Sequence, residues 1–263
     1  MVNALAVCLR DAVALAGRYP LLAGADLDVR TGEILVLKGA NGAGKTSLLR
    51  VVAGVLPLAA GEATVLGLCP TVDARELRRR VGLLGHANGL YDDLTAEENL
   101  RFTVRAARLP KTAAADALAC LGIHGRLLSV PAGKLSAGQR RRVALAGLLA
   151  RQPQLWLLDE PHAGLDADNR ALLDELLKRV ASEGATVLVA SHEERTSQVL
   201  ADRVVTMSGG TVLDGVITSQ EVSQPTDREQ GAGPRGTGET GGSPSNPARD
   251  QGDQARLEVH SVA

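Results

Sequence analysis

Aromatic side chains are scarce in this chain of 263 residues, which contains one Trp, two Tyr and one Phe. A well-packed core must therefore be built from Ala, Leu and Val. Only three cysteines are present, and the scattered positions of Cys8, Cys69 and Cys120 predict neither a disulfide framework nor a metal site. The formal net charge is −1, so no global electrostatic argument favours nucleic acid or an anionic membrane surface.

Signals for membrane insertion and secretion are also missing from the sequence. No uninterrupted apolar run reaches the roughly 18 residues that a membrane span needs. The N-terminus lacks the basic, apolar and small-residue order of a signal peptide. We therefore expect a soluble cytoplasmic chain, which would need a separate membrane-spanning subunit if it acts at a membrane.

Residues 39–46 read Gly-Ala-Asn-Gly-Ala-Gly-Lys-Thr and match the phosphate-binding loop of nucleotide triphosphatases at every fixed position. Glycines allow successive backbone N–H groups to curl around phosphates. Lys45 would supply charge to the β and γ phosphates, and Thr46 a hydroxyl to Mg²⁺. An apolar strand at 34–37 and a helix ending near Gly54 provide the required flanks. The candidate ATP contacts in this loop are Gly39, Asn41, Gly42, Gly44, Lys45, Thr46 and Ser47.

Two carboxylates end the apolar run 155–158, which predicts a strand whose tip lies beside the phosphate loop. Asp159 would bind Mg²⁺ there, directly or through water. Glu160 follows immediately and would polarise the water that attacks the γ phosphate. The alternative interpretation of this pair alone is an ordinary acidic strand-to-loop transition.

Residues 135–139 read Leu-Ser-Ala-Gly-Gln and precede a basic helix. This run resembles the Leu-Ser-Gly-Gly-Gln signature of the ATP-binding cassette (ABC) family, although an ordinary serine N-cap would also fit. The resemblance implies that Ser136, Gly138 and Gln139 contact the γ phosphate held by a second subunit, at a helix N-terminus. It therefore implies a head-to-tail homodimer that sandwiches two ATP molecules. Ala137 replaces the usual glycine, and its Cβ narrows the approach of the backbone to the phosphate.

Other positions follow from the same resemblance. Residues 163–166 resemble the D-loop that crosses the dimer interface, with Asp166 as its acid. His192 stands where the family has its switch histidine, which would sense the γ phosphate and orient water with Glu160. His86 stands where the family has the Q-loop glutamine, which contacts Mg²⁺ and the membrane subunit.

The adenine-stacking aromatic is less regular. Tyr19 is the nearest candidate, although it is displaced from the family's position, and the alternative is that Tyr19 packs on the sheet. No role is assigned to His124, His162 or His260, except that His162 follows Pro161 near the D-loop and is a weak candidate for an interface contact.

The order of motifs predicts an α/β fold, a P-loop NTPase of the ABC nucleotide-binding type with a mixed sheet core and a helical subdomain. We assign residues 1–222 to the ATP-binding domain and about 86–150 to its helical subdomain. The stretch Thr95 to Leu128 is predicted to be helical and to begin with a capping box. Residues 223–263 are predicted to be a disordered tail, because Gly, Pro, Ser and charged residues bury little apolar surface.

Within the family, the chain resembles the ATP-binding subunit of the haem exporter in cytochrome c maturation. Three features carry this resemblance. They are Gly-His at 85–86 in place of the Pro-Gln of other members, the stretch 88–102, and the Ala-Gly-Gln form of the signature. The resemblance implies a Mg²⁺- and ATP-dependent ATPase, peripheral on the cytoplasmic side of the membrane. Such a subunit powers export of haem, or of a related factor, through an integral membrane permease.

Three alternatives remain open at this point. The chain could serve another exporter, for a drug, a lipid or an ion. It could be a non-transport cassette ATPase acting on ribosomes or DNA, which is opposed by the single phosphate loop and the lack of heptads or a basic patch. It could be a degenerate regulatory subunit, which is opposed by the presence of Lys45, Asp159, Glu160 and His192.

Overall fold

Residues 4–215 are described in the computed structural model of the chain, and they form two β-sheets with seven α-helices. The predicted tail at 223–263 lies outside the described residues. The predicted α/β fold with a mixed sheet core is confirmed, because the larger sheet is mixed and helices alternate with its strands along the chain.

The smaller sheet is antiparallel and has the strand order β2-β1-β4. Its strands are β1 (Leu5–Ala16), β2 (Tyr19–Arg30) and β4 (Ala60–Val65). The sequence pattern of β2 is interrupted by Pro20 and Gly24. Pro20 is tolerated because β2 lies at the edge of the sheet.

The larger sheet has the order β5-β6-β7-β3-β8-β9, and only β9 runs antiparallel to its neighbour. The strands are β3 (Ile34–Lys38), β5 (Val81–Leu84), β6 (Leu155–Asp159), β7 (Thr186–Ala190), β8 (Arg203–Ser208) and β9 (Thr211–Leu213). The predicted strands at 34–37 and 155–158 are confirmed. Because β6, β7 and β3 are adjacent and parallel, their carboxyl ends meet at one edge, where α/β folds bind ligands.

The helices are α1 (Lys45–Val52), α2 (Ala74–Arg80), α3 (Ala96–Ala106), α4 (Thr112–Cys120), α5 (Ala137–Arg151), α6 (Ala167–Ser182) and α7 (Glu194–Leu200). Thr95 and Glu98 form the predicted capping box, with both reciprocal hydrogen bonds present. The stretch predicted to be helical, Thr95 to Leu128, is divided into the two helices α3 and α4 and a short 3-10 helix at Gly125–Ser129. Arg108 adopts a positive φ of 58°, and the ring of Pro110 restricts the residue before it, so the chain breaks between α3 and α4.

Alternate residues of the central strands face two hydrophobic clusters. Val36, Leu158 and Val189 face a cluster built with α3–α6, whereas Leu37, Leu157 and Leu188 face a cluster built with α1 and the smaller sheet. Trp156 is the only aromatic residue among the buried ones in the part of the chain that the structure describes. The core is therefore packed from Leu, Val and Ala, as the composition predicts.

Candidate functional site

The phosphate loop connects β3 to α1, and its backbone needs glycine at two close approaches. A Cβ on Gly39 would lie 2.3 Å from the carbonyl oxygen of Met207, and one on Gly44 would lie 2.7 Å from that of Leu21. Gly44 has a φ of 105° and precedes Lys45, the first residue of α1. No side chain caps this helix, so the N–H groups of its first turn remain free to bind an anion.

Lys45 is a buried cation that pairs with no carboxylate among the described residues. The residue is 7 % exposed, and its Nζ donates hydrogen bonds to the carbonyl oxygens of Gly39 (2.6 Å) and Ala40 (3.1 Å). A buried charge without a counter-ion is costly, and it is stabilised when an anion binds beside it. The surroundings of Lys45 therefore fit a phosphate-binding role.

Thr46 and Asp159 meet across the end of the sheet. The Thr46 hydroxyl donates a hydrogen bond of 2.7 Å to Oδ2 of Asp159, which lies at the carboxyl end of β6 and is buried. A hydroxyl and a carboxylate are oxygen donors of the kind that Mg²⁺ prefers. The two residues therefore fit a magnesium ion that is also bound by nucleotide phosphates.

Glu160 and His192 are also brought together, from the ends of β6 and β7. Oε1 of Glu160 lies 2.7 Å from Nδ1 of His192 and accepts a hydrogen bond from the His192 backbone N–H at 3.2 Å. Glu160 has a positive φ of 46° and donates its own N–H to the carbonyl of Ala190 at 2.9 Å. A non-glycine residue in this conformation is strained, and such strain clusters at functional sites.

A cavity of about 510 Å³ is lined by the phosphate loop together with Asp159, Glu160 and the exposed His86. His192 is not among the described residues that line it. Four lining residues that the sequence analysis missed come from β2 and from the turn between β8 and β9. They are Pro20, Leu21, Gly209 and Gly210. No local pattern marks them, since only the pairing of distant strands brings them to the phosphate loop.

Tyr19 begins β2 beside the lining residue Pro20 but does not itself line the cavity. Its side chain does not pack on the sheet either, because the residue is 79 % exposed. The alternative that Tyr19 packs on the sheet is therefore wrong, whereas adenine stacking stays a prediction.

The signature residues, 135–139, lie apart from this cavity, because none of them is among its described lining residues. Ser136 caps α5: its Oγ accepts the N–H of Gln139 at 3.2 Å, and the Gln139 side chain accepts the N–H of Ser136 at 2.9 Å. A Cβ on Gly138 would lie 2.6 Å from the carbonyl oxygen of Gly164, so the start of α5 abuts the D-loop. Asp166 caps α6, and the backbone N–H of Asn169 holds the pKa of Asp166 below its ordinary value.

Arg141 is a residue of the site that the sequence analysis did not single out. The residue is buried, and its guanidinium reaches from α5 to backbone carbonyls at the ends of β5 and β6. Nη1 donates to the carbonyl of Gly85 at 2.7 Å, and Nη2 donates to the carbonyls of Asp159 and Glu160, the latter at 2.9 Å. Burial lowers the pKa of Arg141. A run of three arginines after the signature gives no indication of which one points inward.

A phosphate loop between a buried parallel strand and a helix, with Asp159 against its threonine, defines a P-loop nucleotide triphosphatase. The ABC transporter family matches residues 22–163, more than half of the chain, and the chain belongs to this family. It is a nucleotide-binding ABC ATPase that couples ATP hydrolysis to transport. No helix in residues 4–215 is long and apolar enough to cross a membrane.

Curated relatives carry the name cytochrome c biogenesis ATP-binding export protein CcmA. The protein of Cupriavidus pinatubonensis is 40 % identical over 178 residues, covering 67 % of this chain and 78 % of that protein. The protein of Methylococcus capsulatus is 40 % identical over 188 residues, covering 71 % and 90 % respectively.

Solved structures of ABC transporter cassettes are also similar to this chain, at lower sequence identity. The dimeric structure of MJ0796, a bacterial ABC transporter cassette, is 25 % identical with a TM-score of 0.73, covering 78 % of this chain and 96 % of that one. A dimeric post-hydrolysis state of MJ0796 bound to ADP and Pi is 26 % identical with a TM-score of 0.72 and the same coverage.

Proposed function

We propose that this chain is the ATP-hydrolysing subunit of an exporter that serves cytochrome c biogenesis. The observation that carries the proposal is the similarity to export proteins of that name, at about 40 % identity over two thirds of the chain. The cavity shared by Lys45, Thr46, Asp159 and Glu160 supports it. The exported cargo is haem or a related factor. Specificity for the cargo resides in a membrane permease, to which this chain binds on the cytoplasmic side.

The geometry of the cavity supports a mechanism in which the protein residues hold the terminal phosphates and activate water. Lys45 and the uncapped N-terminus of α1 bind the β and γ phosphates. Thr46 and Asp159 would hold Mg²⁺, which would neutralise charge on the phosphates. Glu160 accepts the proton of the attacking water, and His192 holds one oxygen of Glu160 in place.

A second copy of the chain completes the site in this proposal. Ser136, Gly138 and Gln139 do not line the cavity of their own copy, and they would reach the γ phosphate bound by the partner copy. Asp166 would lie at the interface between the copies. The dimeric cassettes among the solved structures support this arrangement. His86 would contact Mg²⁺-bound water and transmit contact with the permease.

The experiment is a tagged pull-down from native membranes, with mass spectrometry of the co-purifying chains and Lys45→Ala as the matched control for nucleotide dependence. A small polytopic permease with cytochrome c assembly proteins is the expected result. Co-purification of a large exporter permease would contradict the role in cytochrome c biogenesis and would indicate another export function. Ribosomal or DNA-bound proteins without a membrane chain would contradict a transport role.

A further inference from the structure

His162 forms a buried polar cluster that the proposed mechanism does not use. The residue is 2 % exposed and lies between β6 and α6. Its Nε2 is 2.7 Å from Oδ1 of Asp174 on α6, and its Nδ1 is 3.5 Å from Oγ1 of Thr196 on α7. Asp174 and Thr196 are both buried. Burying an imidazole and a carboxylate in an apolar core is costly, so the cluster invites a functional explanation.

Hydroxyl groups connect this cluster to the water-activating glutamate. Oγ of Ser191, a residue that is 1 % exposed, lies 3.4 Å from Oγ1 of Thr196 and 3.4 Å from Oε2 of Glu160. The backbone N–H of Glu193 donates to the same Ser191 oxygen at 3.1 Å. The two oxygens of Glu160 are thus held differently, since Oε1 faces His192 and Oε2 faces Ser191.

The donors and acceptors of the cluster fit one arrangement. Asp174 can only accept when ionised, so Nε2 of His162 carries the hydrogen and Nδ1 is the acceptor. The Thr196 hydroxyl then donates to Nδ1, and the Thr196 oxygen accepts from the Ser191 hydroxyl. The single hydrogen of that hydroxyl is shared between Thr196 Oγ1 and Glu160 Oε2, which both lie 3.4 Å from Ser191 Oγ. His162 therefore fixes the orientation of the Thr196 hydroxyl, and Thr196 in turn restrains Ser191. Arg195 lies on the far side, with Nη1 3.2 Å from Oδ2 of Asp174.

We propose that His162 is a positioning residue for Glu160, acting through the hydroxyls of Thr196 and Ser191, with Asp174 holding its ring. This inference rests on the proposed role of Glu160 in activating water. The chain of contacts restricts rotation of the carboxylate, so that the oxygen that accepts the proton is oriented before ATP arrives. Groups behind a reacting side chain act in this way when they fix its rotamer.

The test removes one hydroxyl with little change in shape. Thr196→Val is expected to lower kcat about tenfold, a typical cost of losing a supporting hydrogen bond. The ATP Kd should stay at the parental value, because the phosphate loop is not altered. The melting temperature should fall, because the buried Nδ1 of His162 loses its hydrogen-bond donor. Thr196→Ser keeps the hydroxyl and should retain the parental kcat.

Ser197→Ala is the matched control. Ser197 is the next residue on α7, is 7 % exposed, and its Oγ has no hydrogen-bond partner among the described residues. Its removal should leave kcat unchanged. Asp174→Asn provides a second probe of the cluster if Thr196→Val unfolds, and the same loss of kcat is expected of it.

A double-mutant cycle separates positioning from a purely structural role. Single-turnover hydrolysis is measured for Glu160→Gln with and without Thr196→Val. If Thr196 acts through Glu160, the second change should cost nothing further. An equal loss in both backgrounds, or a parental kcat for Thr196→Val and Asp174→Asn, would overturn the inference. A parental rate for Glu160→Gln alone would instead remove the proposed role of Glu160, which is a distinguishable failure.

Discussion

Replacement of Arg141 by Met should destabilise the domain far more than the same change at its neighbour Arg140. Arg141 is 4 % exposed, and its guanidinium donates hydrogen bonds to the backbone carbonyls of Gly85, Asp159 and Glu160. Met fills a similar volume but donates no hydrogen bond. These carbonyl oxygens would therefore lose their charged donor inside the protein.

The expected cost follows from these contacts. Each lost hydrogen bond to a charged group costs about 1.5–3 kcal/mol. Removal of the buried charge offsets part of this sum, because burial of the Arg141 guanidinium is itself unfavourable. We expect a loss of about 3 kcal/mol in the free energy of unfolding, near the upper end for single substitutions. For a domain of this size, that corresponds to a fall of roughly 6–12 °C in Tm.

The assay is urea unfolding of both variants together with a thermal melt. Arg140 pairs with Asp92 at 2.6 Å, and the Asp92 side chain is 62 % exposed. Such a surface pair contributes only about 0–1 kcal/mol, so Arg140→Met is the matched control. Equal midpoints for the two variants would refute the view that Arg141 ties α5 to the catalytic strand end.

Three further predictions concern single side chains. Lys45→Ala should abolish tight ATP binding measured by equilibrium titration, because the phosphates lose a buried charge; unchanged affinity would count against the phosphate-loop assignment. Glu160→Gln should stall hydrolysis and trap an ATP-bound dimer visible by size-exclusion chromatography, whereas a parental rate would remove its role as base. The hydrogen bond from the Thr95 backbone N–H lowers the pKa of Glu98. The ionised Glu98 therefore stabilises the fold above the ordinary pKa of a glutamate, and this stabilisation is lost as the pH falls through the lowered pKa of Glu98. Glu98→Gln should lack this acid-side loss in a pH series of melts.

Local patterns predicted the parts of the molecule that short segments determine. The glycines before Lys45 specify the loop, and the apolar run before Asp159 specifies a buried strand with a carboxylate at its tip. The parallel sheet then brings these segments together. The Thr95 cap was predictable for the same reason, since all of its partners lie within one turn.

Contacts between distant segments were not predictable. Arg141 reaches Gly85 across 56 positions of sequence, and Thr196 reaches His162 across 34. Nothing in the neighbourhood of His162 indicates that α6 and α7 will bury it with polar partners. The break between α3 and α4 is a local feature that Pro110 signals in the sequence, whereas the positive φ of Arg108 has no such signal.

The central claim, that this chain hydrolyses ATP to drive an export step of cytochrome c biogenesis, is tested most directly in cells that lack the chain. The measurement is covalent haem staining of membrane c-type cytochromes, after expression of the parental chain or of Glu160→Gln. We predict loss of the stained cytochromes in the deletion strain, recovery with the parental chain and no recovery with Glu160→Gln. Normal cytochrome c levels in the deletion strain, or full recovery with Glu160→Gln, would contradict the account.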